Sequence, residues 1–432
     1  MKESFIRRCV NFYRSRKISQ WAIFYFLVYV IFIIKLITFQ ELDEGWFFGI
    51  YGIAVSFYIL SRFALAYLYE PEESRFDRTY QPTLSFAVPS KNEEENIFET
   101  VMRIAATDYP KHKFDIIAVN DGSTDGTLAE MLRAKKAAAA LGIQVNVIDW
   151  KENRGKREGM AECIRQSGNE ILVFIDSDSF VRPDTAKELI KYFCDPKVAA
   201  AAGHAYVANA EKNILTKMQA VRYYVAFRAY KGAESLFGAV TCCSGCCAAY
   251  RKEVILPFLD EWANQTFLGV RCTYGDDRSL TNAVLKRGYR AVFAPEAVSY
   301  TFAPDNFRQF MKQQFRWKKS WFRESFLASF FMWKQNPVAS LSFYAGFALP
   351  LVSPVIVLRA LIWYPYAYGK IPYSYLAGLA FMAVVYGFYY YIHTKDRKWA
   401  YGVLFATFYA LVLMWQLPWA IMHLRDSRWG TR

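Results

Sequence analysis

Residues 170–178 read EILVFIDSD, five apolar residues in a row and then two carboxylates one residue apart. A run without polar alternation is what a strand buried on both faces requires, as in a parallel sheet covered by helices. Three upstream runs share the pattern: LSFAVPS (84–90), FDIIAVND (114–121) and VNVIDW (145–150), each followed by a polar or helix-like segment. The alternation predicts a doubly wound α/β sheet. Ligands of such sheets bind beyond the carboxyl ends of the strands. Those ends carry Pro89-Ser90-Lys91-Asn92-Glu93, Asn120-Asp121-Gly122-Ser123 and Asp176-Ser177-Asp178, so three polar clusters converge on one edge.

Asp176 and Asp178 would repel each other unless a cation sat beside them. Mg²⁺ or Mn²⁺ on a diphosphate fits, because hard cations favour carboxylate and phosphate oxygens. A capped helix start can show the same spacing; the place at a strand end gives the pair its weight. Asn153-Arg154-Gly155-Lys156-Arg157 sets basic groups beside a permissive glycine. Lys156 and Arg157 suit a diphosphate or a nucleobase edge, or form a solvated basic turn. Tyr274-Gly275-Asp276-Asp277-Arg278 opens the helix-like run SLTNAVLKRG. A carboxylate there can act as general base on a hydroxyl, or simply cap the helix. No P-loop or GxGxxG is present, which removes support for nucleoside-triphosphate hydrolysis and dinucleotide binding.

The two ends of the chain carry the apolar excess. Overall, the 432 residues are 54% hydrophobic and 18% aromatic, with a formal charge of +14. That charge suits anionic headgroups and phosphorylated substrates. No nucleic-acid-binding signature accompanies it, and no obligate protein partner is evident. Residues 20–39, with Lys35 as their single charge, and about 46–68 are long enough to span a bilayer. Lys2, Arg7, Arg8, Arg14, Arg16 and Lys17 precede them, and Glu41, Asp43 and Glu44 lie between them. The positive-inside rule then puts the N-terminus and the polar stretch from about 70 to 307 in the cytoplasm. Spans resume near 338–364 and 373–392, and 399–422, with Pro418, reads as a re-entrant or in-plane helix. Between them, 307–333 mixes Arg and Lys with Phe and Trp at helical spacing, as amphipathic helices on a membrane surface do. Of the eight cysteines, Cys242, Cys243, Cys246 and Cys247 crowd together. No second CxxC or histidine pair completes a zinc site, so reduced thiols lining a cytosolic cleft are expected.

Taken in order, Asp121, Asp176-Ser177-Asp178, Gly275-Asp276-Asp277 and Gln313-Gln314-Phe315-Arg316-Trp317 resemble the motif set of the family 2 processive glycosyltransferases, among them cellulose, chitin and hyaluronan synthases. The likeness runs from about Pro89 to Arg432 and is strongest to the hyaluronan synthases. It rests there on NQTFLG (264–269) before GDDRSLTN (275–282), on QQFRWKKSWFRES (313–325), and on Trp429-Gly430-Thr431-Arg432. The resemblance implies a GT-A-type cytoplasmic domain (70–306) between a transmembrane hairpin (1–69) and C-terminal transmembrane or re-entrant helices (336–424). Interfacial helices (307–335) and a gating segment (425–432) complete it, in a cell-membrane protein.

The same resemblance implies roles. Asp277 would deprotonate the acceptor hydroxyl, with Asp276 and Arg278 in the same catalytic turn. Asp176 and Asp178 would hold Mg²⁺ or Mn²⁺ and the donor diphosphate. Pro89, Asn92, Glu93, Asp121, Lys156 and Arg157 would meet the UDP portion. Gln313, Arg316 and Trp317 would line the acceptor and diphosphate side, Trp317 stacking on the terminal sugar. Ser244, Gly245 and Cys246 would lie near the acceptor, and Trp429 and Arg432 would close over the nucleotide. One base and no carboxylate nucleophile imply inversion.

One departure bears on the product. Hyaluronan synthases carry Ser-Gly-Pro where this chain has Ser244-Gly245-Cys246, and CCSGCCAAYRK (242–252) is similar to the chitin-oligosaccharide synthases. The expected product is hyaluronan, from UDP-N-acetylglucosamine and UDP-glucuronate, with chitin or another N-acetylglucosamine polymer as the alternative. A single-addition transferase would lack QxxRW. A non-catalytic transporter or scaffold loses support because Asp178 and Asp277 are both present.

Overall fold

The computed structural model describes residues 18–41, 46–69, 76–77 and 79–427. The basic residues up to Lys17, Asp43 and Glu44 of the hairpin tip, and Trp429 to Arg432 lie outside the described residues. Ten strands follow in order: β1 (Leu84–Ser90), β2 (Phe114–Asp121), β3 (Val145–Trp150), β4 (Ile171–Phe174), β5 (Ser179–Val181), β6 (Val198–Val207), β7 (Ala248–Arg251), β8 (Thr266–Phe267), β9 (Val270–Arg271) and β10 (Arg290–Thr301). Eight of them form one sheet ordered β3-β2-β1-β4-β7-β6-β10-β5, and β8 and β9 pair separately.

The non-alternating sequence of β1 and β2 has its cause in a core on both faces. Ala87, Ile117 and Val119 pack into one cluster, and Phe86, Val88, Ile116 and Ala118 into the other. Helices Ile97–Ala105 and Thr127–Ala139 cover one face, and Lys156–Gln166 and Asp276–Lys286 the other. Each fully buried Val, Leu, Ile or Phe contributes about 1.5–3 kcal/mol. β1 pairs in parallel with β2 and with β4, and β2 with β3. The order therefore reverses beside β1, where a ligand crevice belongs.

The expectation of a parallel sheet holds for this half and, beyond it, for the β6–β10 pair alone. β7 runs antiparallel to both β4 and β6, and β5 antiparallel to β10. β7 leaves the 242–247 loop at the ligand edge and must run back from it, which dictates its direction.

Among the described residues four helices are long and apolar enough to cross a membrane: Trp21–Gln40, Gly49–Leu68, Pro337–Tyr368 and Tyr373–Thr394. Their outer faces expose Phe26 by 63%, Phe57 by 74% and Leu341 by 73%, a surface suited to lipid rather than water. The chain is built as an integral membrane protein. Phe63 stacks on Tyr389 with ring centroids 4.5 Å apart, joining the second and fourth of these helices. A Cβ on Gly402 would come within 3.1 Å of the Gly387 Cα, so the fourth helix and Trp399–Leu411 cross at small residues.

Beyond Leu411 the helix bends by 41° into Leu413–Met422, a broken span or a re-entrant loop. The break falls at Val412 (φ −122°, ψ −56°) and not at Pro418. Pro418 sits in the first turn of Gln416–Met422, where its missing N–H costs nothing.

The amphipathic stretch is one helix, Phe307–Ser329, followed by a short turn at Met332–Lys334. Its buried side includes Lys319, Arg323 and Glu324, while Phe307, Phe326, Phe330 and Trp333 are exposed on or just beyond it. Charge faces inward because the α/β domain supplies partners there.

Candidate active site

The loops after β1, β2 and β3 are tied to one another before any ligand binds. Asn92, at φ +53°, donates its backbone N–H to Ser123 Oγ (3.0 Å), and its side-chain oxygen accepts the Thr124 N–H (2.9 Å). Asp121, buried at the end of β2, accepts the N–H groups of Arg154 (2.6 Å) and Gly155 (2.9 Å). Burial pushes its carboxyl up against the pull of those donors. The Arg154 guanidinium lies 4.6 Å over the Trp150 ring. Pro89, Asn92, Asp121 and Lys156 all line the cleft. Glu93 does not: it is buried below the loop, with its carboxylate accepting from Asn96 Nδ2 (3.2 Å).

Asp176 and Asp178 stand side by side past β4, and Lys156 Nζ is paired with Asp176 Oδ1. Burial and then Asp176 push Asp178 up to about 6, the mark of a carboxylate pair with too little neighbouring positive charge. Among the described residues no group of three or more His, Cys, Asp and Glu could hold a metal by itself. Two carboxylates are nevertheless what a hard cation needs when a substrate diphosphate supplies other oxygens. Across from them, a Cβ on Gly245 would sit 2.9 Å from Asp176 Oδ1 and 3.3 Å from Lys156 Nζ. Glycine there lets the 242–247 loop close on the carboxylate.

Arg157 departs from the sequence expectation. Its guanidinium is buried away from the cleft, donating to Asp276 Oδ1 (2.6 Å), Gln265 Oε1 (2.8 Å), the Ser279 hydroxyl (3.0 Å) and the Trp262 carbonyl (3.2 Å). Its donors are spent on Asp276, Ser279 and the 262–265 segment, so it ties that segment to the Gly275–Arg278 turn instead of holding a nucleotide. Asp276 is correspondingly buried, whereas Asp277 is half-buried on the cleft wall. Gly275 precedes them at φ +81°, a conformation that disfavours any side chain. A second buried guanidinium, Arg323, donates to the Tyr274 carbonyl and to Glu324 Oε1 (2.7 Å). Arg323, Glu324 and Gln265 are contributors that sequence reasoning did not single out, although FRE stood inside the 313–325 motif.

Gln313, Arg316 and Trp317 reach the same cleft from the Phe307–Ser329 helix. Arg222 stacks 4.9 Å over the Trp317 ring. Ser244 and Cys246 line the cleft as well, and the Ser244 hydroxyl accepts from Lys231 Nζ (2.6 Å). Cys242 donates its thiol to Asp277 Oδ2 (3.4 Å). The described chain ends at the same wall: Tyr274 OH donates to the Asp426 carbonyl (3.1 Å), and Thr273 to that of Ser427. Trp429 and Arg432 lie outside the described residues. The cleft belongs to a continuous cavity of about 1990 Å³ that extends into the membrane helices, past Tyr51, Val55, Phe347, Pro350, Tyr375 and Leu379.

Residues 82–320 match the family described as glycosyltransferase like family 2. The chain belongs to glycosyltransferase family 2. Within the family it is 31% identical over 392 residues to a hyaluronan synthase of Streptococcus pyogenes, covering 89% of this chain and 90% of that protein. It is also 31% identical over 357 residues to an N-acetylglucosaminyltransferase of Azorhizobium caulinodans, covering 81% and 87%. A mannosyltransferase of Pyrobaculum calidifontis, solved with GDP-Man and Mn²⁺, superimposes with a TM-score of 0.58 at 22% identity, covering 89% of this chain and 99% of that one. This family 2 chain thus shares the GT-A-like fold, a mixed curled sheet with helices, set between candidate membrane helices.

Proposed function

We propose that the protein is a processive, inverting transferase that polymerises hyaluronan from UDP-N-acetylglucosamine and UDP-glucuronate on the cytoplasmic side and passes it outward. The observation that carries this reading is the continuous cavity and its charge. Among the described residues outside the strand-end loops and the Gly275–Arg278 turn, its basic lining residues are Lys35, Arg62, Arg222, Lys231, Arg316, Lys318 and Arg359, opposed by Glu234. Three of these, Lys35, Arg62 and Arg359, lie on helices long and apolar enough to span a membrane, where ionisable groups are costly and are kept for a pathway. A cationic path suits a polymer with a carboxylate on every second sugar, and a neutral chitin chain has no use for it. The hyaluronan synthase relative supports the same reading.

In the proposed reaction Asp277 accepts the proton of the acceptor hydroxyl, whose oxygen forms the new bond at the anomeric carbon as the bond to UDP breaks. A positioned base of this kind contributes 10²–10⁴-fold. Asp176 and Asp178 would hold Mg²⁺ or Mn²⁺, which when bound offsets the charge of the departing diphosphate. Lys156 stands ready beside Asp176 as a second cation. Pro89, Asn92 and Asp121 frame the nucleotide end, and Gln313, Arg316 and Trp317 the acceptor end.

A second reading, a chitin-type polymer from UDP-N-acetylglucosamine alone, draws on Cys246 in place of proline and on the N-acetylglucosaminyltransferase relative. Purified protein in lipid, supplied with divalent metal and each donor alone or both together, separates them. Hyaluronidase-sensitive polymer formed only with both donors is expected. Polymer from UDP-N-acetylglucosamine alone would establish the second reading.

A further inference from the structure

Asp277 is held at both oxygens. Its Oδ1 accepts the Arg278 backbone N–H (2.8 Å), and its Oδ2 accepts the Cys242 thiol (3.4 Å). The two contacts come from different parts of the chain: one from its own helix, the other from the loop that precedes β7. That loop is itself anchored, since the Cys243 N–H donates to Thr281 Oγ1 (3.0 Å) and the Cys247 N–H to the Ser244 carbonyl (3.1 Å). Cys242 and Asp277 both line the cavity, so their contact is part of the reacting wall rather than of the core.

The geometry points to Cys242 as a positioning residue that aims Oδ2 of Asp277 at the acceptor hydroxyl. This rests on the reading of Asp277 as the base. A thiol has particular merit in that place. It is a weak donor, so it orients a carboxylate while taking little of the electron density that must receive the acceptor proton. Burial, with Asp277 as the next cause, pushes the Cys242 thiol up to about 12, so it stays protonated and able to donate near neutral pH. The doubled cysteine at 242–243 then divides its work. Cys243 is fully buried and packs in the core, and Cys242 faces the chemistry.

The test compares Cys242→Ala, Cys242→Ser and Asp277→Asn in lipid, with kcat and KM for each donor from UDP release and UDP affinity by calorimetry. Cys242→Ala is expected to lower kcat about tenfold, with KM and UDP affinity within twofold of wild type, because a misaimed base loses part of its 10²–10⁴-fold contribution. Cys242→Ser, which still donates, is expected to recover to within threefold of wild type. Wild-type kcat in Cys242→Ala overturns the inference. So does an equal loss in the serine variant, or a loss that appears in KM or UDP affinity. If Asp277→Asn itself turns over normally, the reading of the base falls, and the inference falls with it. If Asp277→Asn is inactive while Cys242→Ala is fully active, the inference alone falls.

Discussion

At the scale of single residues, two carboxylates with different surroundings divide the proposed chemistry. Both are half-buried, but Asp277 has one weak and one backbone donor, whereas Asp178 stands beside a second carboxylate. Asp277→Asn is expected to abolish polymer formation while leaving UDP affinity nearly intact, since it removes only the base. Asp178→Asn is expected to weaken metal-dependent UDP binding itself. Titrating UDP with and without Mn²⁺ into both variants checks the pair, and equal affinity losses would contradict the division. Gly275→Ala is expected to lower kcat by about 100-fold. Its Cβ would crowd Ser320 and come within 3.0 Å of Arg323 Nη2, in a backbone conformation that costs about 1–2 kcal/mol for other residues. That Asp121, Asp176 and Asp277 meet at one cleft was legible from their places at strand and helix ends. Arg157 was not, because a basic residue one place after Lys156 looks the same whether it turns to the cleft or to the core.

At the scale of elements, the Phe307–Ser329 helix couples the Gly275–Arg278 turn to the membrane-facing part of the molecule. Arg323 and Glu324, 3% and 2% exposed, form a buried ion pair whose single-sided loss leaves an uncompensated charge. Arg323→Met is expected to cost about 3–5 kcal/mol, and the Arg323→Met/Glu324→Met double variant clearly less. Thermal unfolding in detergent measures both. Lys318, on the same helix, is lowered to about 7, first by burial and then by Arg222. The unfolded chain keeps a value near about 10.4, so between pH 7 and 10 the unfolded state binds more protons and stability rises with pH. Lys318→Met is expected to flatten that rise, and an unchanged slope would remove Lys318 as its source. Its aromatic and basic spacing announced a helix. Which face turned inward depended on the polar partners that the α/β domain supplies, the Tyr274 carbonyl to Arg323 and the Gln265 amide to Glu324.

At the scale of the whole molecule, the proposed path joins the strand-end cleft to the membrane helices. Lys35 is the single charge of the first span; it lies 5.6 Å over the Tyr375 ring and lines the cavity. On the proposed reading, Lys35→Glu is expected to shorten the polymer several-fold, and more than Lys35→Gln does, because a carboxylate in the path repels the uronates that hyaluronan would carry. Size-exclusion chromatography of the product reads this directly. Equal chain lengths in both variants would show that charge at this point does not act on the polymer.

The amino-acid sequence by itself determined the local grammar: four parallel strands, the apolar spans, and the polar strand ends where a ligand must bind. Those features follow from burial on both faces, from bilayer thickness and from the direction of a parallel strand. Only the tertiary structure decided the mixed half of the sheet, where β7 and β5 run antiparallel to their neighbours and β6 runs parallel to β10. The Ala-rich run VAAAAGHAYV (198–207), a helix by propensity, is drawn into β6 by its neighbours β7 and β10. Tertiary contacts also moved the terminal bend to Val412, turned Arg157 inward to Asp276, and brought the Cys242 thiol to Asp277. Each of these depends on which distant segment arrives next to a residue, and spacing along one chain carries no trace of that.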